Sequence, residues 1–103
     1  MASRTETFAG LVVQQPENEL FRFSLAQALV TDGRGAEAVL HYDYCVTKKA
    51  DWMMPRILLG KLLAQLGRQA EAKVHLADAL RLAVEQNHEE PERELRALLT
   101  ELA

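Results

Sequence analysis

Two histidines, each preceded by a glutamate, have the side-chain types and the spacing that could form a metal-binding site. His41 follows Glu37 by four positions, and His75 follows Glu71 by the same spacing. Because residues four apart share one face of a helix, a metal site built from the two pairs is geometrically conceivable. No third or fourth soft ligand accompanies them. Duplication of a sequence repeat explains the pattern more simply, so we predict no metal site.

A cysteine near the first histidine suggests a second kind of chemistry. Cys45 follows His41 by four positions and could pair with it as a thiol and its base. Nucleophilic catalysis also needs an oriented dyad and an oxyanion hole in a cleft, and the sequence predicts neither. It contains no glycine-rich phosphate loop. We therefore predict a packed thiol, no enzymatic activity and no cofactor.

The segments that carry these residues repeat along the chain. The sequence GRGAEA at residues 33–38 returns as GRQAEA at residues 67–72, a period of 34 residues. Identities at the same offset extend the match on both sides, and they include Arg22 with Arg56, Leu25 with Leu59, Leu29 with Leu63 and His41 with His75. This period is typical of a helical-hairpin solenoid, whose units present surfaces rather than carry out reactions.

Composition and charge limit the classes of partner. The chain has 103 residues, a formal net charge of -3 at pH 7 and one cysteine. This length predicts a single domain, and without an overall basic charge we expect no nucleic-acid or anionic-membrane partner. The first residues lack a signal-peptide pattern, and no apolar run approaches the ~20 residues that span a bilayer. We therefore expect a cytoplasmic protein.

Helix-forming residues dominate and alternating strand patterns are absent, which predicts an all-α chain of about six helices. The Asp32–Gly33 pair should end the first helix of a hairpin, because glycine adopts the left-handed conformation at little cost. Asp51 is the predicted N-cap of the next helix. The period divides the chain into an N-terminal capping helix, two hairpins and a C-terminal capping helix of one domain, at about residues 6–15, 17–50, 51–84 and 90–103.

One glycine lies inside a predicted helix rather than at its end. Gly60 should cost about 1 kcal/mol relative to alanine at such a position. The cost is explained if a neighbouring helix approaches closely there, and the alanines Ala38 and Ala72 on the second helices would serve the same kind of contact. The sequence therefore predicts a close crossing of two helices at Gly60.

With these residues in place, the chain resembles the tetratricopeptide repeat family, whose units carry a small residue in the first helix, a glycine at the turn and an alanine in the second helix. Those positions are Ala26 and Gly60, Gly33 and Gly67, and Ala38 and Ala72. The chain departs from the family at Arg22 and Arg56, where a large apolar residue is usual, but an arginine stem can cover a core while its head stays in water. The resemblance implies a right-handed superhelical stack of antiparallel helical hairpins.

The resemblance also implies a concave groove lined by the first helix of each hairpin. On this chain the groove positions would be Leu20, Phe23, Gln27 and Val30, followed by Met54, Ile57, Lys61 and Ala64. Most are apolar, and the basic and asparagine clamp with which some members of the family hold a terminal carboxylate is not reproduced. We therefore predict a noncatalytic interaction module or scaffold that binds an apolar protein or peptide segment.

Two alternatives remain open for this apolar face. A second copy of the chain could bury it, which would make the protein a self-associating structural subunit such as a homodimer. The terminal helices of the same chain could instead cover Phe23, Met54 and Ile57 and leave no groove, since apolar stripes at helical spacing are usually core. The alternatives differ in oligomeric state and in the exposure of these three side chains.

Overall fold

The computed structural model describes residues 3–103, which form six α-helices joined by short turns. They are α1 Arg4–Gln14, α2 Glu19–Thr31, α3 Gly35–Lys48, α4 Met53–Gln65, α5 Gln69–Glu85 and α6 Glu89–Leu102. No strand occurs within residues 3–103, and none of the helices described there has the length and apolar character needed to cross a membrane. The predicted all-α fold of six helices is confirmed.

The helices group into two compact units, one ending at Ala50 and the other beginning at Asp51. The first unit contains α1, α2 and α3, and the second contains α4, α5 and α6. The boundary coincides with the predicted start of the second hairpin. The assignment of α1 and α6 as capping helices of a single domain stays a prediction.

Each hairpin turns on a glycine in the left-handed conformation. Gly33 has a φ of 75° and Gly67 a φ of 81°. In both turns the glycine N–H donates to the carbonyl three residues earlier, and the following arginine N–H donates to the carbonyl five residues earlier. These bonds satisfy carbonyls that a helix end otherwise leaves without partners. The predicted helix end at Asp32–Gly33 is confirmed.

The first helices of the two hairpins, α2 and α4, differ in how their N-termini are capped. The Oδ1 of Asn18 caps α2 by accepting the backbone N–H three residues later at 3.1 Å. The predicted cap at Asp51 is wrong, because α4 begins at Met53 and Trp52 occupies the N-cap position without a side-chain cap bond. Asp51 lies one residue too early to reach those N–H groups, and its carbonyl instead accepts a hydrogen bond from Nε2 of Gln86 at 3.1 Å.

The core of the first unit combines small residues with two aromatic rings. Phe23 and Tyr42 pack edge to face with their ring centroids 6.0 Å apart, a favourable arrangement for aromatic pairs. The other buried apolar side chains of this unit are Val12, Leu25, Ala26, Ala28, Leu29, Ala38, Val39, Cys45 and Val46. Thr5 of α1 donates its hydroxyl proton to Asp32 at 2.5 Å, which ties α1 to the end of α2.

The core of the second unit is built around the close approach of α4 to α5. A Cβ added to Gly60 would lie 2.6 Å from Cδ2 of Leu76 and 3.5 Å from the carbonyl oxygen of Ala72. The close crossing predicted at Gly60 is therefore confirmed. The fully buried Leu95 of α6 joins a cluster with Ile57, Leu76, Ala79 and Ala83. This cluster holds α6 in the second unit.

Candidate partner-binding surfaces

The first candidate catalytic group, His41, is half-buried on α3 and faces an arginine. Its Nδ1 lies 3.4 Å from Nη1 of Arg22. The same guanidinium donates from Nε to the carbonyl of Pro16 at 2.9 Å and lies 4.5 Å from the ring centroid of Tyr44. Burial, and to a smaller extent the charge of Arg22, lowers the pKa of His41 below its ordinary value. Because arginine can only donate, the neutral ring accepts this hydrogen bond.

The second unit does not repeat this contact. Arg56, the equivalent of Arg22, pairs through Nη1 with Oδ2 of Asp78 at 3.3 Å. Asp78 occupies the position that Tyr44 holds in the first hairpin. The Nδ1 of His75 is buried and has no hydrogen-bond partner within residues 3–103. The two histidines are therefore equivalent in sequence but differ in their surroundings.

The two glutamates that could have completed a metal site pair with arginines instead. Arg34 donates through Nε and Nη2 to Glu37 at 2.7 and 2.8 Å. Arg68 makes the same two bonds to Glu71 at 3.3 and 2.6 Å. Within the part of the chain that the structure describes, no three His, Cys, Asp or Glu side chains are arranged to hold a metal ion. The duplicated Arg–Glu pair thus accounts for the glutamates.

Cys45 has the surroundings of a structural thiol. It is fully buried on α3, and its Sγ donates to the carbonyl of Glu19 at 3.4 Å. Burial, followed by the nearby charge of Glu19, raises the pKa of the thiol to about 11. The thiolate is the nucleophilic form of cysteine, and a pKa this high leaves the group protonated at neutral pH. Cys45 therefore lacks the activation that a catalytic dyad requires.

The four predicted positions on α2 form one partly exposed face of the first unit. Leu20 is 59% exposed, and Val30 is exposed as well. Phe23 and Gln27 are half-buried, and the Phe23 ring rests against Tyr42 rather than in solvent. The first unit therefore presents an apolar face on α2 that has one neutral polar side chain.

The four predicted positions on α4 divide into open and covered residues within the second unit. Met54 is 49% exposed, whereas Ile57 is 7% exposed and belongs to the core cluster that α6 completes. Lys61 and Ala64 are half-buried, and Nζ of Lys61 forms an ion pair with Glu94 of α6. In this unit, α6 covers Ile57 and leaves Met54 open.

Two cavities lie along α4 and α6, one on each side of the Lys61–Glu94 ion pair. The first has a volume of about 210 Å³ and is lined by Met54, Ile57, Leu58, Lys61, Glu90, Pro91 and Glu94. The second has a volume of about 280 Å³ and is lined by Lys61, Ala64, Gln65, Leu76, Leu98, Glu101 and Leu102. Both have apolar floors and charged rims, so each can take up an aliphatic side chain.

Sequence reasoning missed a second pair of exposed apolar residues. Leu40 on α3 is 71% exposed and Val74 on α5 is 60% exposed. The two occupy equivalent positions of the 34-residue repeat. The signal was available, because the buried stripe of α3 contains Ala38 and Tyr42 and position 40 must then point away from it. Each unit thus carries exposed apolar side chains on its first and on its second hairpin helix.

Comparison with solved structures identifies similar folds. The translocator chaperone SycD of Yersinia enterocolitica type III secretion is 20% identical, with a TM-score of 0.87 over 95% of this chain and 68% of that chain. SycD in complex with a peptide of the translocator YopD is 21% identical, with a TM-score of 0.84 over 95% and 76%. A tetratricopeptide repeat domain protein from Salinibacter ruber is 24% identical, with a TM-score of 0.75 over 85% and 89%.

These likenesses concern the fold. No protein-family model matches the sequence, and no curated protein matches it either. Identities of 20 to 24% leave the backbone arrangement as the property that the chains share. The two glycine-turned hairpins and these structural matches together establish that the chain has a tetratricopeptide-repeat-like all-α fold.

Proposed function

We propose that this protein is a noncatalytic interaction module that binds a segment of a partner protein on the first helix of each hairpin. The binding residues would be Leu20, Phe23, Gln27 and Val30 on α2, and Met54, Ile57, Lys61 and Ala64 on α4. The proposal is supported by the shared fold with SycD, which has been solved with a peptide of YopD. The fold alone does not define a function, so the argument depends on the side chains of this chain.

The observation that carries the proposal is a small apolar patch that recurs on the first helix of each hairpin. Leu20 and Met54 are equivalent at the 34-residue period, and both are large, apolar and about half exposed. A single exposed leucine has no significance, since much of any protein surface is apolar. Recurrence in both hairpins, next to the half-buried Phe23 and Leu58, gives each unit a small apolar patch that a partner could cover.

The remaining proposed residues have supporting roles. Ile57 is too deeply buried to be a main contact and would form the floor beneath a side chain held at Met54. The charge of Lys61 is already neutralised by Glu94, so Lys61 would contribute its aliphatic stem. Gln27 is the one uncharged polar group of the α2 face and could hydrogen-bond the backbone of a bound segment.

The absence of catalysis is part of the proposal. It is supported by the protonated, buried thiol of Cys45 and by the engagement of His41 with Arg22. It is also supported by the arginine partners of Glu37 and Glu71, which leave these carboxylates in structural ion pairs. We further propose a cytoplasmic location, for which the buried free thiol is the supporting observation.

The test compares two double variants with the same chemical change on different helices. Peptides are first selected on the parent chain from a phage-displayed random library, and the affinity of a selected peptide is then measured by fluorescence anisotropy. Leu20→Asp with Met54→Asp should weaken binding by at least about tenfold, the scale of two half-buried aliphatic contacts. Leu40→Asp with Val74→Asp is the matched control, since those residues are also exposed, and it should bind like the parent.

The outcome of this comparison decides which surface is functional. Loss of binding only in the Leu40 and Val74 variant would transfer the function to the second helices and contradict the proposal. Light scattering coupled to size-exclusion chromatography distinguishes the alternative of self-association. A parent dimer that Leu20→Asp with Met54→Asp converts to a monomer would mean that a second copy uses the face.

A further inference from the structure

Three acidic side chains and one lysine line the two cavities along α4 and α6. We call this surface the α4–α6 groove, formed by α4 from Met54 to Gln65 and by α6 from Glu90 to Leu102. Lys61 and Glu94 pair across the middle of the groove and cancel each other's charge. Glu90 rims the first cavity and Glu101 rims the second. The groove therefore has an apolar floor and one negative charge near each end.

These two carboxylates have no cationic partner among the residues that the structure describes. Neither Glu90 nor Glu101 forms an ion pair within residues 3–103. Helix stability accounts for Glu90, which lies in the first turn of α6 where the helix dipole favours an acid. It does not account for Glu101, which lies in the last turn, where the dipole disfavours one. Glu101 therefore gains no stabilisation from the helix dipole.

We propose that the α4–α6 groove binds an extended peptide segment with an apolar core and a lysine or arginine at each end. This inference depends on the function proposed above and specifies the chemistry of the partner. Glu90 and Glu101 are eleven residues apart along α6, about 16 Å at the helical rise. An extended chain covers that distance in about five residues. Alternate side chains of such a segment face the same way and could enter the two cavities.

Charge favours a foreign segment over a second copy of this chain, because two copies with a formal net charge of -3 repel each other. Lys48 and Lys49 are adjacent cations that a second copy could offer to the groove. Both pair with Glu19, at 4.0 and 3.1 Å, and Lys48 also donates to the carbonyl of Glu17 at 2.7 Å. Docking of a second copy through them would have to break these contacts.

Three labelled peptides test the charge assignment on the full chain. Their sequences are KSLSLSK, QSLSLSQ and ESLSLSE, in which the two leucines and both end residues share one face of an extended segment and only the end charges differ. By fluorescence anisotropy at low salt, KSLSLSK should bind about tenfold more tightly than QSLSLSQ, the scale of two exposed ion pairs. ESLSLSE should bind most weakly.

A charge-reversal variant should change the order of peptide affinities, a result that loss of folding would not produce. Glu90→Lys with Glu101→Lys should invert the order, so that ESLSLSE becomes the tightest-binding of the three peptides. Glu6→Lys with Asp43→Lys is the matched control, because it changes the net charge equally at exposed positions of the first unit. This control should keep the preference for KSLSLSK. Inversion in both variants would mean that overall charge decides binding, which would overturn the inference.

The same data separate this inference from the proposed function. Equal binding of all three peptides, weakened by Met54→Asp, would retain a binding face on α4 and overturn the charge assignment alone. If neither these peptides nor the phage-selected peptides bind, both the charge assignment and the proposed function are wrong. A parent dimer that KSLSLSK does not dissociate would show that a second copy is the occupant, which also overturns the inference.

Discussion

The close approach of α4 to α5 at Gly60 leads to a prediction in which two opposing effects can be weighed. Replacing Gly60 with alanine in a helix interior should stabilise by about 1 kcal/mol if helix propensity were the only effect. The added Cβ would, however, lie 2.6 Å from Cδ2 and 2.7 Å from Cγ of Leu76. Real Cβ atoms do not approach carbon this closely, so either Leu76 or one of the helices must move.

The burial of Leu76 decides which effect is larger. Its side chain is 1% exposed and packs against α6 as well as α4, so it has no free space into which to rotate. Inserting a methyl group into such a core costs about 1 to 3 kcal/mol. Subtracting the gain in helix propensity leaves a net destabilisation of about 1 kcal/mol for Gly60→Ala. A change of this size lowers Tm by about 4 to 8 °C in a domain of this length.

Circular dichroism at 222 nm through a thermal melt measures this change, and the first hairpin supplies the control. Ala26 occupies the equivalent position of α2 and is fully buried. Ala26→Gly should also lower Tm by several degrees, because it loses about 1 kcal/mol of helix propensity. Gly60→Ala and Ala26→Gly are opposite substitutions at equivalent positions, and both should lower Tm. A higher Tm for Gly60→Ala would refute the close approach.

Three further predictions concern the first unit. The lowered pKa of His41 in the folded chain means that the unfolded chain binds a proton more readily at this site. Tm should therefore fall as the pH drops below about 6.5, the ordinary histidine value. His41→Gln should flatten this dependence of Tm on pH, and an unchanged slope would contradict the prediction. Asn18→Ala removes the α2 cap and should cost about 1 kcal/mol in urea unfolding, whereas Glu17→Ala should cost much less; equal losses would count against the cap. Cys45 should resist a thiol reagent at pH 7.5 and react on addition of urea, because the native thiol is buried and protonated; rapid labelling of the folded chain would disprove its burial.

Local features of the chain could be predicted from the sequence because they depend on interactions within a few residues. The period of 34 residues identified the two hairpins, and the glycines at 33 and 67 identified their turns, since only glycine adopts the left-handed conformation at little cost. The crossing at Gly60 was also predictable, because a glycine in a helix is otherwise a net cost. These inferences needed no knowledge of which helices lie together.

The candidate site was predicted less completely because its character depends on neighbours distant in sequence. Helical periodicity placed Met54 and Ile57 on one face of α4, but only the packing of α6 decided that Ile57 is buried and Met54 is open. The ion pair of Lys61 with Glu94 depends on the same packing. The cap at Asp51 was assigned wrongly because the neighbouring residue Trp52 took the cap position.

Equivalent positions of the repeat do not always have equivalent contacts. His41 and His75 share a position, an upstream glutamate and an equivalent arginine. The first accepts a hydrogen bond from its arginine, whereas the Nδ1 of the second has no partner within residues 3–103. The sequence determined the helices, the turns and the two hairpins, because backbone propensity and side-chain periodicity act locally. The tertiary structure decided which side chains are covered and which charges are paired, because those contacts join residues far apart in the chain.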